Sequence, residues 1–315
     1  MVSESYLMNI PELVMNIILD KLDFKSVQTL RKVCRDLRDF IDDQKPDPRI
    51  EEITVCALES GDLKFCYKNL QADVFLCYQT RDGGECVLVY EDVARILKGE
   101  EIVLKIAFKD FETILKHQSS TLKVLKLHSN HFDNVLDILK TVLESRNHRL
   151  KVETLVTDQV MKILPFLDPD SLLELNLFGS TDQPIRTMEI LEIDELAELE
   201  IWRKIKELSI WDCYVPSASL QSFIHFSKCS IDVELVDLED VLLLKETLLQ
   251  SPTFKKFRLY YTSFPDIQQF FDTMGPPIRE PQSSELCKSW KFPDSQFLIT
   301  HVVNCEKPKI LFLRQ

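Results

Sequence analysis

The chain has 315 residues, 45% of them hydrophobic and 28% charged, which suffices for one large domain or two modest ones of ordinary globular composition. Its formal net charge of −13 argues against a basic nucleic-acid-binding face and against attachment to an anionic membrane surface. The first residues lack a basic-then-apolar leader, and no apolar run approaches the ~18 residues of a membrane span. Nine scattered cysteines with no Cys-x-x-Cys pair read as reduced thiols of cytosol or nucleus.

Residues 10–43 predict three short helices. Pro11 suits a first helical position, and Ile10, Leu13, Val14, Ile17, Ile18 and Leu22 recur at spacings of three and four. Asp23 is placed to cap a second helix carrying Val27 and Leu30, and a third continues through Val33, Cys34, Leu37, Phe40 and Ile41. The "KPDP" at Lys45 to Pro48 ends it. The first of these helices is apolar nearly all round, with only Asn16 interrupting Leu13 to Leu19. Sixteen large apolar or Cys side chains lie between residues 10 and 41. A segment this short buries too little surface to fold alone, so a second surface must cover it: the rest of the chain or another protein.

Beyond Arg49 the pattern changes. "IEEITVCAL" predicts a strand, and "DVFLCYQ", Asp82-Gly83-Gly84 and "CVLVYED" predict a hairpin near 74–90. Helical pieces such as "DFETILKHQ" and "FDNVLDILKTVLES" then alternate with strands built on Leu-x-x-Leu-x-Leu. That template occurs at Leu122/Leu125/Leu127, Leu172/Leu175/Leu177, Ile205/Leu208/Ile210 and Phe254/Phe257/Leu259, with weaker copies at Ile50/Ile53/Val55 and Val152/Leu155. Counting the weaker Val152 copy, successive starts after residue 120 lie 30, 20, 33 and 49 residues apart, against the roughly 20–29 of a regular leucine-rich repeat. Irregular leucine-rich-repeat-like βα units follow, with a curved, mostly parallel sheet; a plain α/β sandwich is the competing reading. The acidic run Glu192–Glu200 reads as one amphipathic helix, residues 275–296 as a long loop, and "KPKILFL" as a last strand.

The helical segment "NIPELVMNIILDKLDFKSVQTLRKVCRDLRDFID" resembles an F-box. Ile10-Pro11, Ile18-Leu19, Leu22 and Val33-Cys34-Arg35 stand at the family's Leu-Pro start, Ile-Leu pair, Leu and Val-Cys-[Lys/Arg] stretch. Leu37 replaces the Trp usual three residues after the Cys, and Ile10 the usual Leu. A second stretch, with "ILEIDELAELEIWRKIKELSIWDC" followed by "FIHFSKCSIDVELVDLEDVLLLKETLLQSPTFKKFRL", is similar to the FTH domain that follows an F-box in an expanded nematode family. Its Trp202-to-Lys206 run resembles that domain's Gln-Trp-Lys segment, with Ile201 in place of Gln.

These resemblances imply a mixed α/β chain: an F-box at 8–44, a connecting α/β region at 49–119, an FTH-like βα domain at 120–265, and a loop with a C-terminal strand at 266–315. They imply a non-catalytic, intracellular substrate receptor of a Skp–cullin–F-box ubiquitin ligase, with a Skp-family adaptor, a cullin beyond it and a protein target as partners. An adaptor-binding scaffold that regulates partners without degradation is the alternative, and a hydrolase hidden in the α/β domain a third reading. Candidate adaptor contacts are Ile10, Pro11, Val14, Ile17, Ile18, Leu22, Val27, Leu30, Val33, Cys34 and Arg35, some of which must instead pack among the helices. Candidate target contacts are the template's outward positions: Lys126, His128, Asn176, Phe178, Trp211, Arg258 and Tyr260. No cofactor is expected: six glycines offer no phosphate loop, no Gly-x-Ser-x-Gly elbow occurs, and the closest metal pair, His128-x-x-His131, lacks helical ligand spacing and further ligands.

Overall fold

The structure is a computed structural model. It describes residues 10–58, 60–69, 73–80, 86–90, 93–97, 103–128, 133–179, 188–278, 287–292, 296–303 and 307–314. The chain divides into two units, residues 1–154 with 162–171, and residues 155–161 with 172–315.

The first unit opens with α1 (Glu12–Lys21), α2 (Phe24–Leu30) and α3 (Arg35–Gln44). Pro11 stands just before α1, and its carbonyl accepts from the N–H groups of Val14 and Met15. The Asp23 carboxylate caps α2 by accepting from the Ser26 N–H at 2.6 Å, which lowers its pKa. Lys45 ends α3 in the left-handed conformation (φ 50°), and the prolines beyond it prevent continuation.

A meander follows: β1 (Glu52–Ala57), β2 (Leu63–Lys68), β3 (Asp73–Thr80), β4 (Cys86–Tyr90) and β5 (Val93–Leu97), antiparallel throughout. The expected hairpin is β3–β4, with Thr80 opposite Cys86; its Asp82-Gly83-Gly84 turn lies outside the described residues. Then come α4 (Val103–His117), β6 (Leu122–His128) and α5 (Asp133–Glu144), followed by β7 (Val152–Thr157) and α6 (Val160–Ile163), whose residues are divided between the two units. β6 joins the far side of β1 in parallel, and β7 neighbours β6. α4 docks on the sheet through Phe108 and Phe111, whose rings lie 5.7 and 5.4 Å from that of Phe65 on β2. Buried Gln118 fixes the entry to β1, donating to the Ile50 carbonyl at 3.0 Å and accepting from the Ile50 N–H at 3.2 Å.

The second unit contains β8 (Glu174–Phe178), β9 (Glu189–Ile190), α7 (Asp194–Glu198), α8 (Glu200–Lys204), β10 (Glu207–Trp211), β11 (Cys213–Tyr214), β12 (Lys228–Leu235), α9 (Leu238–Gln250), β13 (Lys256–Ser263), α10 (Ile267–Met274), β14 (Cys287–Lys291), β15 (Phe297–Val302) and β16 (Lys309–Arg314). β8, β10, β12 and β13 are parallel in that order; β16, β15 and β14 extend the sheet antiparallel from β13, and β9 and β11 form a separate ribbon.

The mostly parallel sheet expected from the sequence is therefore corrected to a mixed one: β1 with β6, and β8, β10, β12 and β13 in turn, pair in parallel, whereas β1 to β5 and β13 with β16, β15 and β14 pair antiparallel. The segment 266–315, expected as loop plus one strand, holds α10 and three strands. The acidic run forms two short helices rather than one, because Leu199 adopts extended backbone (ψ 136°) between α7 and α8 while Leu196, Ile201 and Trp202 turn inward.

Every position of the Leu-x-x-Leu-x-Leu template is buried, so the template marks the core-facing residues on each strand and just before it. The structure adds one copy of the template: Phe226 just before β12, with Cys229 and Ile231 on it, all buried. It divides the interval of 49 residues between Ile205 and Phe254 into 21 and 28. Cys at its second position hid it.

Candidate functional site

The surplus of apolar side chains in α1 is divided between two faces. Met15 and Leu19 point inward (2% and 3% exposed), and Leu19 joins Val27 and Ile41 in a small core completed by Leu22, Leu30 and Phe40. Leu37, at the place of the family's Trp, is likewise buried. Polar contacts tie the helices together: Asn16 donates to the Gln44 side chain, Gln44 donates to Glu12, and Arg31 binds Asp42 through two nitrogens at 2.6 and 2.9 Å. The Arg31 hydrogen bonds hold the Asp42 carboxyl below its ordinary pKa.

The trio also leans on its own unit. Phe24 packs on Tyr67 of β2 with ring centroids 5.9 Å apart, and the Lys25 ammonium sits 5.2 Å from the centre of the Tyr90 ring. Arg49 donates to the Asp20 carbonyl at 2.9 Å. Yet the opposite side of α1 stays bare: Leu13, Val14 and Ile17 are 72%, 43% and 47% exposed, and Val33 beyond α2 is 65% exposed. Ile17 lies four residues from Leu13 and three from Val14, so both flank it along one side of α1.

The candidate adaptor contacts thus fall into groups. Pro11, Val14, Ile17, Val33 and Arg35 are exposed, and Arg35 pairs with Asp39 at 3.6 Å. Ile10, Ile18 and Cys34 are half-buried. Val27 is buried, and Leu22 and Leu30 pack on the same internal core, so these three serve the helices themselves. Leu13 is not among the sequence's candidates although it is the most exposed of the large apolar side chains of α1; its i, i+4 relation to Ile17 is the available signal.

In the second unit, the strand positions that alternate with the buried template share the other face of the sheet, which is partly covered. Phe178 and Trp211 are register partners across β8 and β10, as are Asn176 and Ser209; Trp211 is 44% exposed and Phe178 half-buried. Across β12, β13 and β16 the partners are Ser230 with Arg258, Asp232 with Tyr260, and Tyr260 with Lys309, whose ammonium lies 5.4 Å from the Tyr260 ring centre. The aromatic stripe is interrupted at β12: Asp232 is buried and bound by Lys307 at 3.1 Å, burial raising its pKa while Lys307 opposes the rise. Asn176 is buried too, donating to Glu174 at 3.0 Å, and presents little surface for a target. Burial lowers the Lys256 pKa, with a further push from neighbouring Arg258, Lys228 and Lys309. Lys126 and His128 belong to the first unit, half-buried on β6 in register with Thr54 and Cys56.

Trp202 of the Trp-Arg-Lys run is a core residue, with ring centroids 5.0 Å from Phe226 and 6.0 Å from Phe223. Among the described residues no group of three or more His, Cys, Asp or Glu is placed to hold a metal ion, and no helix is long and apolar enough to cross a membrane. His131 lies outside the described residues.

Residues 7–49 match the F-box domain family and residues 129–274 match the FTH domain family. The chain is 23% identical over 265 residues to F-box A protein 224 of Caenorhabditis elegans, covering 78% of this chain and 64% of that protein. No solved structure matches. The helical trio with its bare stripe lies within the first match and Trp202 within the second, and the chain carries an F-box domain followed by an FTH domain.

Proposed function

We propose that this protein is a non-catalytic substrate receptor of a Skp–cullin–F-box ubiquitin ligase. The carrying observation is the exposed stripe of Leu13, Val14 and Ile17 on a helix trio that has already completed its own core. Solvated apolar side chains in contiguous array are costly unless a partner covers them, and the F-box match supports a Skp-family adaptor as that partner. Pro11, Ile10, Ile18, Val33, Cys34 and Arg35 border the stripe in this reading.

The division of labour follows the sequence: the F-box at 8–44 binds the adaptor, and a connecting region at 49–119 carries it. The FTH-like part at 120–265, with irregular leucine-rich-repeat-like units, captures the target. Its partly exposed sheet face, with Phe178, Trp211, Arg258 and Tyr260, supports protein recognition, since aromatic rings and Arg dominate binding hot spots. The protein acts by proximity, raising the effective concentration of target lysines near a ubiquitin-loaded enzyme. Its place is intracellular, with neither nucleic acid nor membrane as partner.

Co-purification of the full chain with a Skp-family adaptor tests the first half, and failure of a folded chain to bind one removes it. Phe178→Ala/Trp211→Ala tests the second: targets trapped under proteasome inhibition are lost from this variant while the adaptor is retained. Unchanged target capture refutes the sheet-face assignment. A scaffold that binds the adaptor without causing degradation is distinguished by bound proteins whose ubiquitination does not depend on Leu13 and Ile17.

A further inference from the structure

A second feature of the first unit stands apart from both surfaces and does not depend on the reading above. A cleft of about 830 Å³ opens where α3, α4 and α5 end. On a chain of net charge −13, its lining carries Lys45, Lys116, Arg146, Arg149 and Lys151 against a single carboxylate, Asp168. Lys116 is neutralised by Glu112 at 2.6 Å, whereas Lys45, Arg149 and Lys151 have no ion pair among the described residues.

Cations near helix C-termini ordinarily answer the last carbonyls. Arg146 instead binds carbonyls just beyond the helices with two nitrogens: Nη2 donates to the Gln118 carbonyl at 2.8 Å, and Nε to the His148 carbonyl at 3.4 Å. Its Nη1 is buried with no hydrogen-bond partner among the described residues, a costly state for a charged donor. The arrangement is already self-repelling: burial lowers the His117 pKa, and Arg31, Lys45 and Lys116 lower it further against the opposing pull of Asp42. Desolvation likewise disfavours the Arg146 charge, against the opposing pull of Asp47. An anion with several acceptor oxygens would relieve both the repulsion and the orphaned donor.

We propose that this cleft binds a small soluble polyphosphate, held between Lys45 at the end of α3 and the Arg146-to-Lys151 segment after α5. The volume lies within the roughly 300–1,000 Å³ of small-molecule sites. Phosphate groups fit because cations converge from several chain segments and a tetrahedral anion presents acceptors in several directions. The occupant would tie the last residue of the helical trio to the ends of α4 and α5.

Calorimetric titration of the full chain with tripolyphosphate tests this. One site with micromolar affinity is expected, weakened by salt, with inorganic phosphate binding more weakly. Arg149→Gln/Lys151→Gln, both exposed residues, weakens it by about tenfold or more at unchanged melting temperature. Arg146→Lys keeps the charge, loses the Nη1 donor and also weakens it. Lys256→Gln/Arg258→Gln on the second unit leaves it unchanged. Absence of binding, or equal affinity in the Arg149/Lys151 variant, overturns the proposal. So does tighter binding of a doubly phosphorylated peptide or of phosphoinositide vesicles at the same residues, which would name a different source of phosphate.

Discussion

Truncating Leu13 and Ile17 together to Ala separates partner binding from folding. Each substitution removes three carbons, and at about 0.8 kcal/mol per buried CH₂ complete burial of three carbons is worth about 2.4 kcal/mol. In the free protein 72% of Leu13 and 47% of Ile17 are still exposed, so a partner covering both would gain about 1.7 and about 1.1 kcal/mol from the truncated groups. Their joint loss of about 3 kcal/mol weakens adaptor binding by about a hundredfold. The double variant stays folded, because neither side chain belongs to the Leu19–Val27–Ile41 core. The assay is a binding isotherm of full-length protein against a Skp-family adaptor, with a thermal melt of each sample. As an internal contrast, Leu19→Ala costs about 2–5 kcal/mol of stability, since its 3% exposure leaves a cavity inside the trio. An unchanged dissociation constant for Leu13→Ala/Ile17→Ala in a protein with wild-type melting would refute the assignment of the stripe.

Three further outcomes follow from particular contacts. His301 is buried, hydrogen-bonded to the Tyr261 hydroxyl, and its pKa is depressed to about 4 by burial and then by Lys288. Between 6.5 and about 4 the unfolded chain takes up a proton that the folded chain refuses, so stability falls as pH drops through that window; urea melts should show a shallower fall in His301→Gln. Asp23→Ala removes the α2 cap and costs about 1 kcal/mol. Because the folded pKa of Asp23 is lowered, its contribution is present above the unfolded value of 3.8 and disappears as pH falls through the folded one, so wild type and variant converge in acid melts. Gly179→Ala places a Cβ within clashing distance of the Asp212 carbonyl, at the turn where Gly179 donates to the Trp211 carbonyl. It should lower the melting temperature by a shift equivalent to about 1–3 kcal/mol, and an unchanged melt would show that the turn yields freely.

The sequence by itself determined the local structure of this protein. Three helices with an Asp23 cap and a proline stop, the β3–β4 hairpin, and strands carrying a buried Leu-x-x-Leu-x-Leu face all follow from short-range rules of dihedral preference, capping and periodicity. The F-box and FTH resemblances rested on the same residues. Tertiary structure decided what periodicity cannot express. α1 is apolar on both sides, and only packing reveals that Met15 and Leu19 serve the trio while Leu13, Val14 and Ile17 face solvent. The β12 copy of the template, with Cys229 among its apolar positions, became visible only in register with β13, and it places Asp232 and Lys307 within the aromatic stripe. The parallel-to-antiparallel change after β13 depends on which strand edge accepts the returning chain. The basic cleft gathers residues from Lys45 to Asp168, more than a hundred positions apart along the chain. Side-chain burial and charge convergence are properties of three-dimensional neighbours, and one-dimensional spacing encodes them only within a single helix or strand.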